Sequence, residues 1–209
     1  LTTEAFPLRV LHRYVLIVGI VSALTACNAE TASLPRAYDV ASQSTTGKEF
    51  LYAGDGPDRI QEYAIDSKSG ALHKIGTAPC GRNGTSGSGG YIAVDAVANY
   101  LYCSSANGQR IVGYAINANS GPLTKISGSP FTDPYGRPTQ LAVTPDGAYL
   151  CVEHRTVHGS SPSNIIATFP INAVTGALSV VSGSAFNNGD WGSHGMAVTP
   201  SGKFLYITE

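Results

Sequence analysis

Ionisable side chains are sparse in this chain, and several stand together. Glu153-His154-Arg155 form one run, Arg137 lies in the turn-rich segment before it, and Asp190, Trp191 and His194 fall in a glycine-rich stretch further on. Histidine can take a proton from water, and arginine can hold a developing oxyanion. A carboxylate can orient the histidine. These types together suit hydrolysis, with His194 as base, Arg137 and Arg155 as anion or oxyanion contacts, and Glu153 orienting a histidine. His154, Asp190 and Trp191 are candidate substrate contacts. The plainer alternative for each is a loop hydrogen bond or a solvated charge, and Trp191 could equally stack on a ligand or cover the core edge.

Other chemistries find less support. Glu153-His154 with His158 lacks the His-Glu-x-x-His spacing of a helical zinc site, so no metal is expected. Asp55 and Asp58 beside Gly56 lack the further acidic ligands of a calcium loop. Gly84-Thr85-Ser86-Gly87-Ser88-Gly89-Gly90 lacks the Gly-Lys-Ser/Thr ending of a phosphate loop and reads as a flexible connection. No Gly-x-Ser-x-Gly elbow is present. No cofactor is expected. A net charge of -1 gives no electrostatic footprint for nucleic acid.

The elements that must position these residues are repeated. Ala142-Val143-Thr144-Pro145-Asp146-Gly147 and Ala197-Val198-Thr199-Pro200-Ser201-Gly202 are near copies. Phe50-Leu51-Tyr52, Tyr100-Leu101-Tyr102, Tyr149-Leu150-Cys151 and Phe204-Leu205-Tyr206 recur at spacings of 50, 49 and 55 residues. After each of the first three comes a second element, in which Tyr63, Tyr114 and Phe169 correspond, as do Gly70, Gly121 and Gly176. Residues 139–184 decode into four strands: TQLAVT, a Pro-Asp-Gly turn, YLCVEH, a loop, IIATFPI, a turn ending at Gly176, and ALSVVS. Four short strands recurring every 50 residues or so indicate an all-β propeller of four-stranded antiparallel blades. Apolar residues at consecutive strand positions fit a blade packed on both faces.

The Thr-Pro-Asp-Gly-x-x-Leu turn, followed by Ile-x-x-Tyr-x-Ile-(Asp/Asn)-x-x-(Ser/Thr)-Gly-x-Leu, resembles the seven-bladed lactonase-type propellers. That family includes bacterial 6-phosphogluconolactonases and the carboxymuconate-lactonizing enzymes. The resemblance covers residues 48 to 209 and rests on turn and packing positions, so it speaks to fold more than to reaction. It implies a hydrolase opening a sugar lactone or related cyclic ester, with His, Glu and Arg near the channel mouth. The alternative is a noncatalytic binding or scaffold propeller. A seven-bladed ring of such units needs about 350 residues; about three and a half blades are present, so a fragment is expected.

Residues 1–27 read as an export signal. Arg9, His12 and Arg13 precede an apolar run over 14–24, shorter than the roughly 20 residues of a membrane span. Leu24-Thr25-Ala26-Cys27 resembles the lipobox of bacterial lipoproteins, which implies lipidation of Cys27 and a membrane anchor facing the periplasm or cell surface. Residues 28–47 read as a flexible tether and 48–209 as the partial propeller. Cys80, Cys103 and Cys151 then remain, an odd number. One disulfide is possible among them, and buried free thiols are the preferred reading.

Overall fold

The computed structural model describes residues 37–45, 48–55, 59–81, 91–95, 99–105, 109–158, 161–187 and 195–208. Among these the secondary structure is entirely strand and turn. Asp190, Trp191, His194 and Cys27 lie outside the described residues, as do Asp58, residues 84–90 and the export segment.

Four antiparallel sheets follow one another along the chain. The first holds β1 (Ala37–Thr45), β2 (Lys48–Asp55), β3 (Arg59–Ile65) and β4 (Leu72–Pro79) in sequential order. The second holds β5 (Ile92–Val94), β6 (Tyr100–Ser105), β7 (Arg110–Ile116) and β8 (Leu123–Lys125), with β9 (Phe131–Thr132) also paired to β7. The third holds β10 (Arg137–Val143), β11 (Tyr149–His158), β12 (Ser161–Pro170) and β13 (Phe186–Asn187). The last described pair is β14 (Gly195–Val198) with β15 (Leu205–Thr208). First strands pack beside first strands, β1 on β5, β5 on β10 and β10 on β14. Together they form one wall, the arrangement of propeller blades around an axis.

The repeated strand is built to be buried from both sides. All of β6 is buried. Leu101 and Cys103 point toward the first sheet and join Phe50, Tyr52 and Ile60, whereas Tyr100 and Tyr102 point toward the third and join Leu150, Val152 and Phe169. Period-two alternation therefore sends successive apolar residues into successive seams. Each of these two seams carries a polar tie as well. Tyr52 Oη donates to the Gly121 carbonyl at 2.7 Å, and Tyr102 Oη donates to the Gly176 carbonyl at 2.8 Å. Gly121 and Gly176 have positive φ of 93° and 69°, and a Cβ there would lie 2.5 Å from Phe50 and Tyr100 respectively. Glycine is required at both by backbone conformation and by close approach.

Three boundaries differ from the sequence reading. Residues 37–45, assigned to a tether, form β1 along β2, with Thr45 opposite Lys48 and Ala41 opposite Tyr52. The segment has no apolar alternation, so backbone pairing rather than side-chain pattern makes it a strand. Residues 155–164, read as a loop, continue β11 and β12 as a hairpin paired out to His158 and Ser161. The expected outer strand ALSVVS is reduced to an isolated bridge between Ile171 and Leu178, followed by β13. A turn with Ser184 N donating to the Val181 carbonyl and Gly183 at φ 81° interrupts it. In the second sheet Gly128, also at φ 81°, separates β8 from β9 in the same way.

The cysteines also depart from the preferred reading. Cys80 and Cys103 form a disulfide, their Cα atoms 5.8 Å apart, and among the described residues Cys151 is a buried free thiol. The seam brings two apolar-looking positions within ordinary bridging distance, which spacing in the sequence could not reveal.

Candidate functional site

The second and third sheets meet at one end in a polar cluster built on β10 and β11. Arg137, the first residue of β10, is the cross-strand partner of Arg155 in β11. Both are exposed. The pairing sets two like charges side by side, with Glu153 electrostatically coupled to Arg155. Three residues further along β10 begins the wall of an open groove of about 380 Å³, lined by residues 91–94, 140–143 and 195–196 of three first strands. The groove runs along the first strands of neighbouring blades, and Arg137 precedes its β10 lining in the chain without lining it.

Glu153 shares a strand face with Arg155, since residues two apart in a strand point the same way. Cys151, on that face, packs with Ile166 and Leu205, so the face looks toward β14 and β15. The carboxylate is buried, with 1% exposure. Thr139 Oγ1 lies 3.0 Å from Glu153 Oε2 and 3.1 Å from the Glu153 carbonyl oxygen, and Asn164 Nδ2 donates to Glu153 Oε1 at 3.0 Å. Burial raises the Glu153 pKa from its ordinary value, opposed by the Thr139 hydrogen bond and by the positive charge of His154 and Arg155.

His154 occupies the opposite face. It is fully buried, with 0% exposure, in the seam between the second and third sheets. Its Nε2 meets Asp133 Oδ2 at 2.6 Å and its Nδ1 lies 3.2 Å from the Ile165 carbonyl oxygen. A carbonyl can only accept, so Nδ1 donates there, and the remaining proton sits between Nε2 and the Asp133 carboxyl. Tyr135 and Phe169 enclose the imidazole, with ring centroids 5.7 and 6.1 Å away. Asp133 is itself tied on both sides. Its N–H donates to the Gln109 carbonyl at 3.0 Å, and its Oδ1 accepts from Tyr135 N–H at 3.0 Å. Tyr135 Oη donates to the Val181 carbonyl at 2.9 Å. The connection entering β10 is thereby fastened to the second and third sheets at once.

This geometry revises the candidate roles. Arg137 and Arg155 stand opposite each other across the β10–β11 pair. His154 is a buried structural side chain with both nitrogens engaged, and it offers nothing to a substrate in this arrangement. Glu153 and His154, neighbours on one strand, face opposite ways, so the histidine that Glu153 would orient is not His154. Asp133 holds His154 instead. Asp133, Thr139 and Asn164 were not singled out in the sequence, where each looks like an ordinary turn or strand residue. Asp190, Trp191 and His194 fall outside the described residues, immediately before β14. Among the described residues no three His, Cys, Asp or Glu side chains converge as a metal site.

No protein-family model matches the sequence, and no curated protein matches it. Solved structures do. The putative 6-phosphogluconolactonase of Bacteroides uniformis is similar with a TM-score of 0.59 at 19% identity, over 88% of this chain and 50% of that one. A putative 6-phosphogluconolactonase from Bacteroides fragilis gives 0.52 at 20% identity, over 82% and 50% respectively. A protein from Lactobacillus plantarum gives 0.53 at 17% identity, over 81% and 44%. The chain spans about half the length of these proteins. At such identities the likeness establishes the fold, a partial propeller of four-stranded antiparallel blades.

Proposed function

We propose that this chain forms part of a lactonase-like hydrolase that opens a sugar lactone or a related cyclic ester. The observation that carries the reading is the Arg137–Arg155 pair, exposed just before β10 reaches the groove, on a fold shared with two proteins named as putative 6-phosphogluconolactonases. Ring opening adds water to the ester carbonyl, passes through an oxyanion, and expels the ring oxygen, which takes up a proton. The two guanidiniums are suited to the oxyanion or to an anionic group of the substrate. His194 is the proposed base, and Asp190 and Trp191 are the proposed substrate contacts. Glu153, two residues from Arg155 on the same face, is held by Thr139 and Asn164 and does not itself reach solvent. No cofactor is invoked, and the small-molecule substrate is the only partner the mouth requires.

We further propose that Cys27 carries a lipid anchor and that the protein faces the periplasm or the cell surface. Phosphorylated lactones of central metabolism are cytosolic, which favours a lactone without phosphate. Radiolabelled palmitate should mark the chain and fail to mark the Cys27→Ala variant.

The test of the enzymatic reading is a panel of aldonolactones and cyclic esters offered to the full-length protein. Opening of at least one is expected, with kcat/KM falling roughly 100-fold or more in an Arg137→Ala, Arg155→Ala double variant. No hydrolysis across the panel, or an unchanged rate in the variant, removes it. A second reading, a noncatalytic binding propeller, is favoured by the complete engagement of His154 and Glu153, which leaves neither free to act on a ligand. Saturable sugar binding by calorimetry without turnover would decide for it.

A further inference from the structure

The segment joining the first sheet to the second is fastened to β6 at both of its described ends. Cys80 directly follows β4 and bonds to Cys103 in the middle of β6. Both cysteines are buried, at 1% and 0% exposure. Gly81 comes next at φ 141°, where a Cβ would lie 2.4 Å from Ser105 Oγ. The chain can therefore leave the disulfide alongside β6 only through glycine. At the far end Tyr91 N–H donates to Ser104 Oγ at 3.0 Å, and Ser104 N–H donates to the Tyr91 carbonyl at 2.9 Å. The repeat places Val152 and Ile207 where Cys103 stands. Both belong to or pack against apolar clusters. The position thus asks for an apolar side chain in general, and for cysteine in the second sheet because Cys80 faces it.

We propose that Cys80–Cys103 is a structural cystine, formed in an oxidising compartment, which clamps the first sheet to the second, and that the reduced protein is correspondingly less stable. The clamp does not depend on what the channel mouth binds. In its formation, one cysteine thiolate attacks the disulfide of an exchange-competent protein or glutathione oxidant, giving a mixed disulfide and releasing one thiol. The second cysteine then displaces the oxidant's remaining sulfur. Two thiols of the chain lose two protons and two electrons, and the oxidant leaves as two thiols. Cys151 stands apart from this exchange. It is buried in the next seam but one, toward β14 and β15, and burial pushes its thiol up to about 12. A thiol so rarely ionised is a poor attacking group, so the free cysteine among the described residues does not scramble the pair. The location also agrees with compartment, since stable disulfides belong to exported proteins.

The experiment compares the full-length protein exported to an oxidising compartment with the same chain made in a reducing cytosol without its export segment. Each is denatured without reductant in an alkylating agent and digested for mass spectrometry. The exported protein should yield a Cys80–Cys103 linked peptide with Cys151 singly alkylated, and the cytosolic chain should be alkylated at all three. Recovery of alkylated Cys80 and Cys103 from the exported protein, or of Cys151 in a disulfide, overturns the proposal. Thermal melting gives a second readout. Reductant should lower the Tm of the exported protein by roughly 5–15 °C, and a Cys80→Ser, Cys103→Ser double variant should melt with the reduced protein and ignore reductant. A wild-type Tm indifferent to reductant overturns it equally.

Discussion

The third sheet has a neighbour on each face, and its two seams are built differently. Toward the second sheet, aromatic packing of Tyr102 and Phe169 is reinforced by the Tyr102–Gly176 hydrogen bond and by the buried Asp133–His154 pair. Toward β14 and β15, the packing is Cys151, Ile166 and Leu205, and the polar element is Glu153, satisfied within its own sheet by Thr139 and Asn164. Cys151 stands at the repeat position that Tyr52 and Tyr102 occupy in the first two sheets. It packs but has no hydroxyl to reach the next blade. One strand, β11, therefore carries a cross-sheet polar latch on one face and a self-contained polar cluster on the other. The difference predicts which substitutions propagate between sheets and which stay local.

The largest effect is expected from breaking the latch. Asp133→Ala leaves the His154 imidazole buried without its partner and should cost about 3–5 kcal/mol in urea denaturation. A cost below about 1 kcal/mol would mean that the two seams are not distinguished by this pair. Next comes the glycine that receives Tyr102. Gly176→Ala forces a side chain into positive φ and against the Tyr100 ring, for a combined cost of about 3 kcal/mol. Gly70, at φ 72° in the matching turn of the first sheet, has nothing within 4 Å of its Cβ direction, so Gly70→Ala should cost only about 1 kcal/mol. Equal costs at the two sites would show that backbone conformation alone, and not the seam, sets the requirement.

The smallest effect lies on the other face and is read against pH. Burial raises the pKa of Glu153 above the ordinary carboxyl value of 4.5. The unfolded chain then ionises first as pH rises. The stability contributed by the neutral form is complete below 4.5 and is lost as pH climbs through the raised folded value. Glu153→Gln should keep the hydrogen bond from Thr139 while removing this loss. The gap between variant and wild-type urea midpoints should therefore move in the variant's favour from pH 4 to pH 7. Glu62, whose pKa burial also raises, is present in both proteins and cancels in the comparison. A gap that moves the opposite way would place the carboxylate in a site that favours its charge.

Much of the fold is legible residue by residue. Pro145-Asp146-Gly147 and its copy at Pro200-Ser201-Gly202 mark the turns between first and second strands, and Gly147 and Gly202 both sit at φ 70°. Gly70, Gly121 and Gly176, aligned by spacing, all take positive φ as well. The double-sided burial of β6 is legible in Tyr100-Leu101-Tyr102-Cys103. The candidate site is legible only in part. Arg137 and Arg155 stand out by type and lie opposite each other across the β10–β11 pair, whereas the sequence leaves open which histidine Glu153 would orient. Strand alternation excludes His154 as that histidine, because neighbouring residues of YLCVEH face opposite sides of the sheet. β1 escaped notice because Ala37–Thr45 shows no apolar period, and its evidence is a register of backbone partners on β2.

The sequence by itself determined the repeated inner elements, since turn glycines, Pro-Asp-Gly pairs and apolar alternation act within a few residues through backbone conformation and local burial. It thereby determined the sheet type and the repeat that stacks one blade on the next. Tertiary structure alone decided the partnerships: Arg137 with Arg155, Asp133 with His154, Cys80 with Cys103. Each joins residues 18, 21 or 23 positions apart whose meeting depends on strand register and on the seam between sheets. A shift of one residue in that register would send every side chain of the strand to the other face, and no local pattern records which face was chosen.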